Sequence, residues 1–258
     1  KEKARENYNT IKSFVKGTFA ENAPIIPVSA QQNVNIDKIL EALAQTQIPK
    51  KDESKEPIFL IARSFDINKP GTIVKDLHGG VLGGILKQGK LKTGEEIEIK
   101  PGVAVKKNNR YFYEPLKTKI INLRKGKDSV SEVLPGASIS IETELDPFMT
   151  KTDSLTGSVA STYGSLPEIT SKVKVKIKLF NEVLGEEKKE KVTELKTKEL
   201  LMLSVNTTIT VGVIEKISGD EIEMNLNIPI IAIKDDNVGI ARNIHGHWRL
   251  IGFGEILQ

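Results

Sequence analysis

From Ile58 onward, apolar residues fall in short alternating runs broken by Gly, Pro, Asn and Asp: Phe59 to Arg63, Gly80 to Leu86, Glu95 to Ile99, Thr118 to Leu123, Ala137 to Ile141 and Gly157 to Ala160. Side chains alternate across a strand, so such runs suit strands with one buried face. Their regular spacing with turn signals between them predicts an antiparallel sandwich or barrel. A second set follows Pro167: Ser171 to Phe180, Glu199 to Val205, Ile209 to Ile217, Glu221 to Leu226, Ile230 to Lys234, Asn237 to Arg242 and His247 to Ile256. The hinge between the sets is expected at Tyr163-Gly164-Ser165-Leu166-Pro167.

Upstream the period changes. Tyr8, Ile11, Phe14 and Val15 make the stripe of an amphipathic helix that Gly17 can end. Ile25-Ile26-Pro27-Val28 is a short apolar run, and Ile36, Ile39, Leu40 and Leu43 share one face of a second helix with Asn35 as its expected N-cap. A strand apolar on both faces belongs in a parallel sheet covered by helices, and its backbone needs strand partners. The first fifty residues are therefore expected to be the last unit of an α/β domain whose earlier strands lie outside these residues. The polar, proline-bounded stretch Pro49 to Pro57 has the composition of a linker.

With 258 residues, 38% of them hydrophobic and 28% charged, the chain has room for two or three globular domains with real cores. No run approaches the roughly 18 apolar residues of a membrane helix, and Lys1 to Asn9 is too polar for a secretory signal, so a cytoplasmic protein without membrane contact is expected. Absence of cysteine removes disulfides and thiolate chemistry. A formal charge of +4 permits an acidic partner such as RNA without requiring one. Lys172, Lys174, Lys176 and Lys178 alternate with Val173, Val175 and Ile177, which places four ammonium groups on one outward strand face. The mixed-charge segment Glu186 to Lys198 reads as an exposed hairpin or loop.

Several motifs invite a chemical reading. Gly84 to Lys90 satisfies GxxxxGK, but Leu91 stands where a magnesium-binding hydroxyl belongs and strand character follows, so no phosphate loop is expected. The glycines of His78 to Gly84 instead suit a strand approached closely by another backbone or a ligand. Val28-Ser29-Ala30-Gln31 lies between the apolar run and the next helix, at the sheet edge where open α/β folds bind ligands. His245 and His247 are two apart, yet no cysteine or carboxylate cluster supports a metal. No catalytic residue and no metal site is expected in these residues.

Read in order, Ala23-Pro24-Ile25-Ile26-Pro27-Val28-Ser29-Ala30-Gln31, Arg63-Ser64-Phe65-Asp66-Ile67-Asn68-Lys69-Pro70-Gly71, Gly79-Gly80-Val81-Leu82-Gly83-Gly84, Asp153-Ser154-Leu155-Thr156-Gly157 and His247-Trp248-Arg249-Leu250-Ile251-Gly252-Phe253-Gly254 resemble the gamma subunit of archaeal and eukaryotic translation initiation factor 2. The resemblance covers nearly the whole chain. It implies a mainly β fold, with the last αβα unit of a P-loop GTPase domain (1–49), a linker (50–57) and two antiparallel β-barrels (58–164 and 165–258).

The same resemblance implies a function. Such subunits bind GTP with Mg2+ and methionylated initiator tRNA, carry the tRNA to the small ribosomal subunit and hydrolyse GTP. They assemble with an alpha subunit on the second domain and a beta subunit on the first. Ser29, Ala30 and Gln31 match the last guanine-recognition motif, in which the Ala30 amide would donate to guanine O6. By position, His78, Gly79, Gly80, Val81, Gly83 and Gly84 match the strand laid against the tRNA 3' end, with Lys87 as a phosphate ligand. The phosphate loop, both switches and the Asn-Lys-x-Asp motif have no counterpart here, so these residues alone are expected neither to hold GTP well nor to hydrolyse it. Two other readings are a non-catalytic two-barrel module binding RNA and a subunit, and a different tRNA carrier of the elongation factor Tu kind.

Overall fold

The computed structural model describes residues 2–47, 51–108, 110–184 and 190–257, and the chain divides into two compact units, Lys1–Lys50 and Lys51–Gln258. Part of the charged segment 186–198 therefore lies outside the described residues.

In the first unit, helix α1 (Glu2–Val15) ends ahead of Gly17, whose φ of 76° is left-handed and costs glycine little. Residues 24–28 run extended, with no strand partner among the described residues, and a single bridge joins Ser29 to Val34. Helix α2 (Ile36–Gln45) follows. Asn35 holds the N-cap position but does not cap: its φ is 58°, and its Nδ2 donates instead to the Pro27 carbonyl at 2.8 Å. The side chain thus ties the helix start back to the extended segment.

The second unit holds two barrels. The first is built from β1 (Ile58–Phe65), β2 (Val81–Gln88), β3 (Leu91–Lys92), β4 (Glu96–Lys107), β5 (Arg110–Lys125), β6 (Asp128–Val130), β7 (Glu132–Val133), β8 (Ser138–Thr143) and β9 (Val159–Thr162). Six of these close a ring in the order β4-β9-β1-β2-β8-β5, with β5 returning to β4; β6 extends β5, and β3 pairs with β7. The second barrel is a closed ring of β10 (Ile169–Leu179), β13 (Glu221–Ile231), β12 (Thr208–Ser218), β11 (Leu200–Val205), β14 (Asn237–Ile244) and β15 (His247–Ile256). Alternation puts Phe59, Ile61, Leu82, Leu86, Ile97, Ile99 and Ile141 in the first core and Val175, Leu201, Leu203, Ile214, Ile222, Ile240 and Ile251 in the second. Each such side chain contributes about 1.5–3 kcal/mol by leaving water.

Several strands run further than the sequence pattern indicates. Pro101-Gly102 reads as a turn ending a strand at Ile99, but β4 continues through it: the register with β5 shifts between Ile99 and Val103, so residues 100–102 form a bulge. Pro115 lies opposite that bulge, where its missing N–H leaves no ladder bond unmade. The strand then forms a long arm with β5, pairing Val103 with Glu114 and Lys107 with Arg110. Likewise, the expected pair of strands 221–226 and 230–234 is one strand, β13. Its Pro229 falls where the β10 partners jump from Ile230 to Asn225, and Thr210 fills the gap by bonding both the amide and the carbonyl of Ile228.

The barrels share an apolar cluster of Ile58, Val159, Leu166 and Ile231. The segment leading into β1 is not free either. Gly89 donates to Asp52 O at 2.8 Å, and the Ser161 hydroxyl donates to Pro57 O at 2.5 Å, so residues 52–57 lie along the first barrel.

Candidate functional sites

In the first unit, the bridge between Ser29 and Val34 folds residues 30–33 into a tight turn: Asn33 donates to Ala30 O at 3.2 Å, and Gln32 donates to Ser29 Oγ at 3.4 Å. Asn33 takes a positive φ of 51° to allow it. Ala30 and Gln31 are exposed, and the Ala30 amide is bonded to none of the described groups. An exposed, unpaired N–H beside a methyl side chain is suited to a carbonyl on a planar ring.

In the second unit, the strand rich in glycine is β2. Cβ atoms built on its glycines and on Gly79 and Gly80 just before it separate their roles. At Gly79 the atom would stand 1.7 Å from Thr143 O, at Gly80 2.4 Å from Thr150 Cγ2, and at Gly84 2.0 Å from Leu60 O. Those three glycines are required by the barrel's own packing. At Gly83 the nearest atoms are Arg63 Cβ at 3.5 Å and Phe65 Cε1 at 3.6 Å, ordinary contact distances. Gly83 faces a surface depression of about 390 Å³ lined also by Arg63, Phe65, Arg124, Ser138 and Ser140.

Register explains how this depression forms. Arg63 pairs with Gly83, Gly83 with Ser140, and Ser140 with Arg124, giving one row across β1, β2, β8 and β5. Two small residues therefore sit between two arginines. Arg63 Nε donates to Asp153 Oδ1 at 2.8 Å, and the same oxygen accepts the Ser64 amide at 3.0 Å. The Arg63 guanidinium, and next the Ser64 amide, hold the Asp153 carboxyl below its ordinary range. Thr152 and Asp153 both have positive φ, 55° and 59°, a conformation these contacts maintain. Arg124 makes no ion pair among the described residues. Beside it, Lys125 and Lys127 are exposed.

His78 lies in the loop that leads into β2 and is not part of the lining of the depression. Its amide and carbonyl both bond to the Asn68 side chain at 2.8 Å, and its Nδ1 lies 2.7 Å from Glu142 Oε1. Asn68 in turn donates through its amide and its side chain to Asp66, at 2.8 and 2.7 Å, which lowers the Asp66 pKa. Val81 is buried at 5% exposure. Lys87 goes elsewhere: its Nζ pairs with Asp236 of the second barrel. The structure thus groups Gly83 and Gly84 with Arg63, Phe65, Arg124, Ser138 and Ser140, and leaves His78 and Lys87 outside that lining. The arginines escaped the sequence reading because the row joins four strands that no linear spacing reveals. Chemically, the depression offers a shallow floor, hydroxyls, an aromatic edge and two cations, which suits a nucleotide unit and its phosphate.

Among the described residues no three metal-ligating side chains converge, and no helix is long and apolar enough to cross a membrane.

A family model described as "Initiation factor eIF2 gamma, C terminal" matches residues 171–256. The translation initiation factor 2 subunit gamma of Methanocaldococcus jannaschii is 48% identical over 254 residues, 98% of this chain and 62% of that protein. Its counterpart from Pyrococcus horikoshii is 46% identical over an alignment of 259 residues, 100% of this chain and 63% of that protein. The chain spans less than two thirds of these relatives' length. Among solved structures, elongation factor SelB from Methanococcus maripaludis in complex with a GTP analogue superposes with a TM-score of 0.75 at 20% identity, over 100% of this chain and 56% of that one. A bacterial selenocysteine-specific elongation factor gives a TM-score of 0.75 at 17% identity over 99% of this chain. These likenesses establish a common fold.

Proposed function

For a chain that belongs to the gamma-subunit family of translation initiation factor 2, we propose a part in the GTP-dependent binding of methionylated initiator tRNA and its delivery to the small ribosomal subunit, the complete protein hydrolysing GTP. The observation that carries this reading is the row Arg63, Gly83, Ser140, Arg124, which makes a cationic depression the size of a nucleotide on the outward face of the first barrel. The 3' end of the tRNA would lie there, its terminal base toward Phe65 and its phosphate toward Arg124. On this reading residues 1–49 belong to a GTPase domain, 50–57 link it to the barrels, and 58–164 and 165–258 are the two barrel domains. Ser29, Ala30 and Gln31 would read guanine, with Mg2+ and the phosphates held by residues outside this chain. Alpha and beta subunits would complete a heterotrimer.

The test is binding of methionylated initiator tRNA by the full-length natural protein with GTP. Arg124→Ala should weaken binding about tenfold, as expected when a charge-assisted bond is lost, and elongator tRNA should bind more weakly than initiator. Equal affinity for both tRNAs would count against an initiation factor and for a general tRNA carrier. A natural protein no longer than these residues, indifferent to GTP, would favour the non-catalytic assembly module.

A further inference from the structure

Successive side chains on a strand alternate faces, so Gly83, Ile85 and Lys87 share the outward face of β2. Gly83 floors the depression. Lys87 lies about 13 Å further along the strand, where its Nζ meets Asp236 of the second barrel. Asp236 is only 3% exposed. Its other oxygen accepts from Asn206 Nδ2 at 2.5 Å, its amide donates to Ile233 O at 3.1 Å, and its carbonyl accepts from Ile256 N at 2.9 Å. A carboxylate so buried and so fixed needs a cation, and Lys87 supplies it.

The neighbouring strand is tied to the same part of the second barrel. At the start of β12, just after the turn that contains Asn206, the Thr208 hydroxyl donates to Gly157 O at 2.5 Å, and Gly157 N donates to Ile61 O of β1 at 3.0 Å. Both strands that carry Arg63, Phe65 and Gly83 are therefore held at one end by the second barrel. The connection between the barrels is pinned as well: Glu98 Oε1 accepts the Leu166 amide at 2.9 Å, and Lys100 Nζ donates to Leu166 O at 3.1 Å.

We propose that Lys87 and Asp236 are positioning residues for the tRNA 3' end, with the second barrel setting the placement of β2 and β1 and thereby the shape of the depression, without either residue touching RNA. This rests on the reading of the depression given above. It assigns Lys87 a different task from the direct phosphate contact its sequence position suggests.

The experiment measures dissociation constants of the full-length protein with GTP for acylated initiator tRNA and for the same tRNA lacking its terminal adenosine, across a salt series. Variants are Lys87→Met, Asp236→Asn, the double variant and Lys87→Arg, each checked for a cooperative melt. The expected result is a five- to twentyfold weakening for intact tRNA in either single variant, no further loss in the double variant, and partial recovery in Lys87→Arg. Binding of the truncated tRNA and the salt slope should stay unchanged. A direct phosphate contact would instead lower the slope by about one in Lys87→Met and leave Asp236→Asn neutral; that result overturns the proposal. Equal weakening of intact and truncated tRNA also overturns it, because it marks a general loss of fold. If the unaltered protein fails to distinguish the two tRNAs, the depression is not the 3'-end site, a failure separable from that of Lys87 and Asp236.

Discussion

Asn68 and His78 hold each other twice: the Asn68 side chain accepts from the His78 amide and donates to the His78 carbonyl, both at 2.8 Å. These bonds close the loop between β1 and β2 and fix the histidine beside Glu142. Asn68→Ala removes both and also the side-chain bond to Asp66. We expect a loss of about 1–3 kcal/mol in stability, seen in urea melts, and weaker tRNA binding from a His78 no longer held beside Glu142.

Adjacent glycines should respond oppositely to one methyl group. Gly84→Ala forces a Cβ to 2.0 Å from the Leu60 carbonyl and should cost about 1–3 kcal/mol by overpacking. Gly83→Ala meets nothing closer than 3.5 Å, so its melting curve should shift by no more than about 0.5 kcal/mol, while tRNA affinity falls as the depression fills. Thermal melts paired with binding measurements distinguish the two. Equal destabilisation would remove the assignment of Gly83 to an open surface.

Acid should loosen the segment at Thr152 and Asp153. The Asp153 carboxyl is depressed, first by Arg63 and then by the Ser64 amide, and the Asp66 carboxyl by the Asn68 amide and side chain. A depressed carboxylate adds stability above its unfolded pKa, near 3.9, and that stability is lost as pH falls through the folded value. The gap in melting temperature between the unaltered protein and Asp153→Asn should therefore be constant at neutral pH and close below about pH 4. A gap that persists at pH 2 would mean the ion pair is irrelevant.

The loop proposed to read guanine, Ser29 to Gln31, supplies too little for nucleotide affinity by itself. One free amide at Ala30, with no phosphate cradle or metal-ligand cluster among the described residues, leaves most of the interaction with GTP unmade. Calorimetry on the 258 residues is expected to give no micromolar GTP binding, and the full-length protein should show it. Micromolar binding to these residues by themselves would contradict the assignment of the phosphate contacts to other parts of the protein.

The alternating runs gave away the barrels because alternation is a direct consequence of one face meeting a core, and Phe59, Ile61, Leu82 and Leu86 show it plainly. Strand ends were less legible. Pro101-Gly102 and Pro229 are turn formers in sequence, yet each sits in a bulge that the opposite strand accommodates. Asn35 has the identity of an N-cap but is diverted by the Pro27 carbonyl, a choice made by tertiary distance. In the site, the glycine strand could be recognised but its glycines could not be sorted, because what each faces depends on Thr143, Thr150 and Leu60 arriving from other strands. The partner of Lys87 was illegible for the same reason: Asp236 is 149 positions away.

The closure of both rings also limits how partners can join. Where a strand of either ring is paired on both sides, its amides and carbonyls are already engaged, so it offers no template for a foreign strand. Free ladder edges among the described residues remain on the 103–114 arm, on β6 and on the short β3 and β7 pair. Where both sides of a strand are paired, recognition has to proceed through side chains and turns, so substitutions there change specificity without opening a route to sheet-to-sheet aggregation.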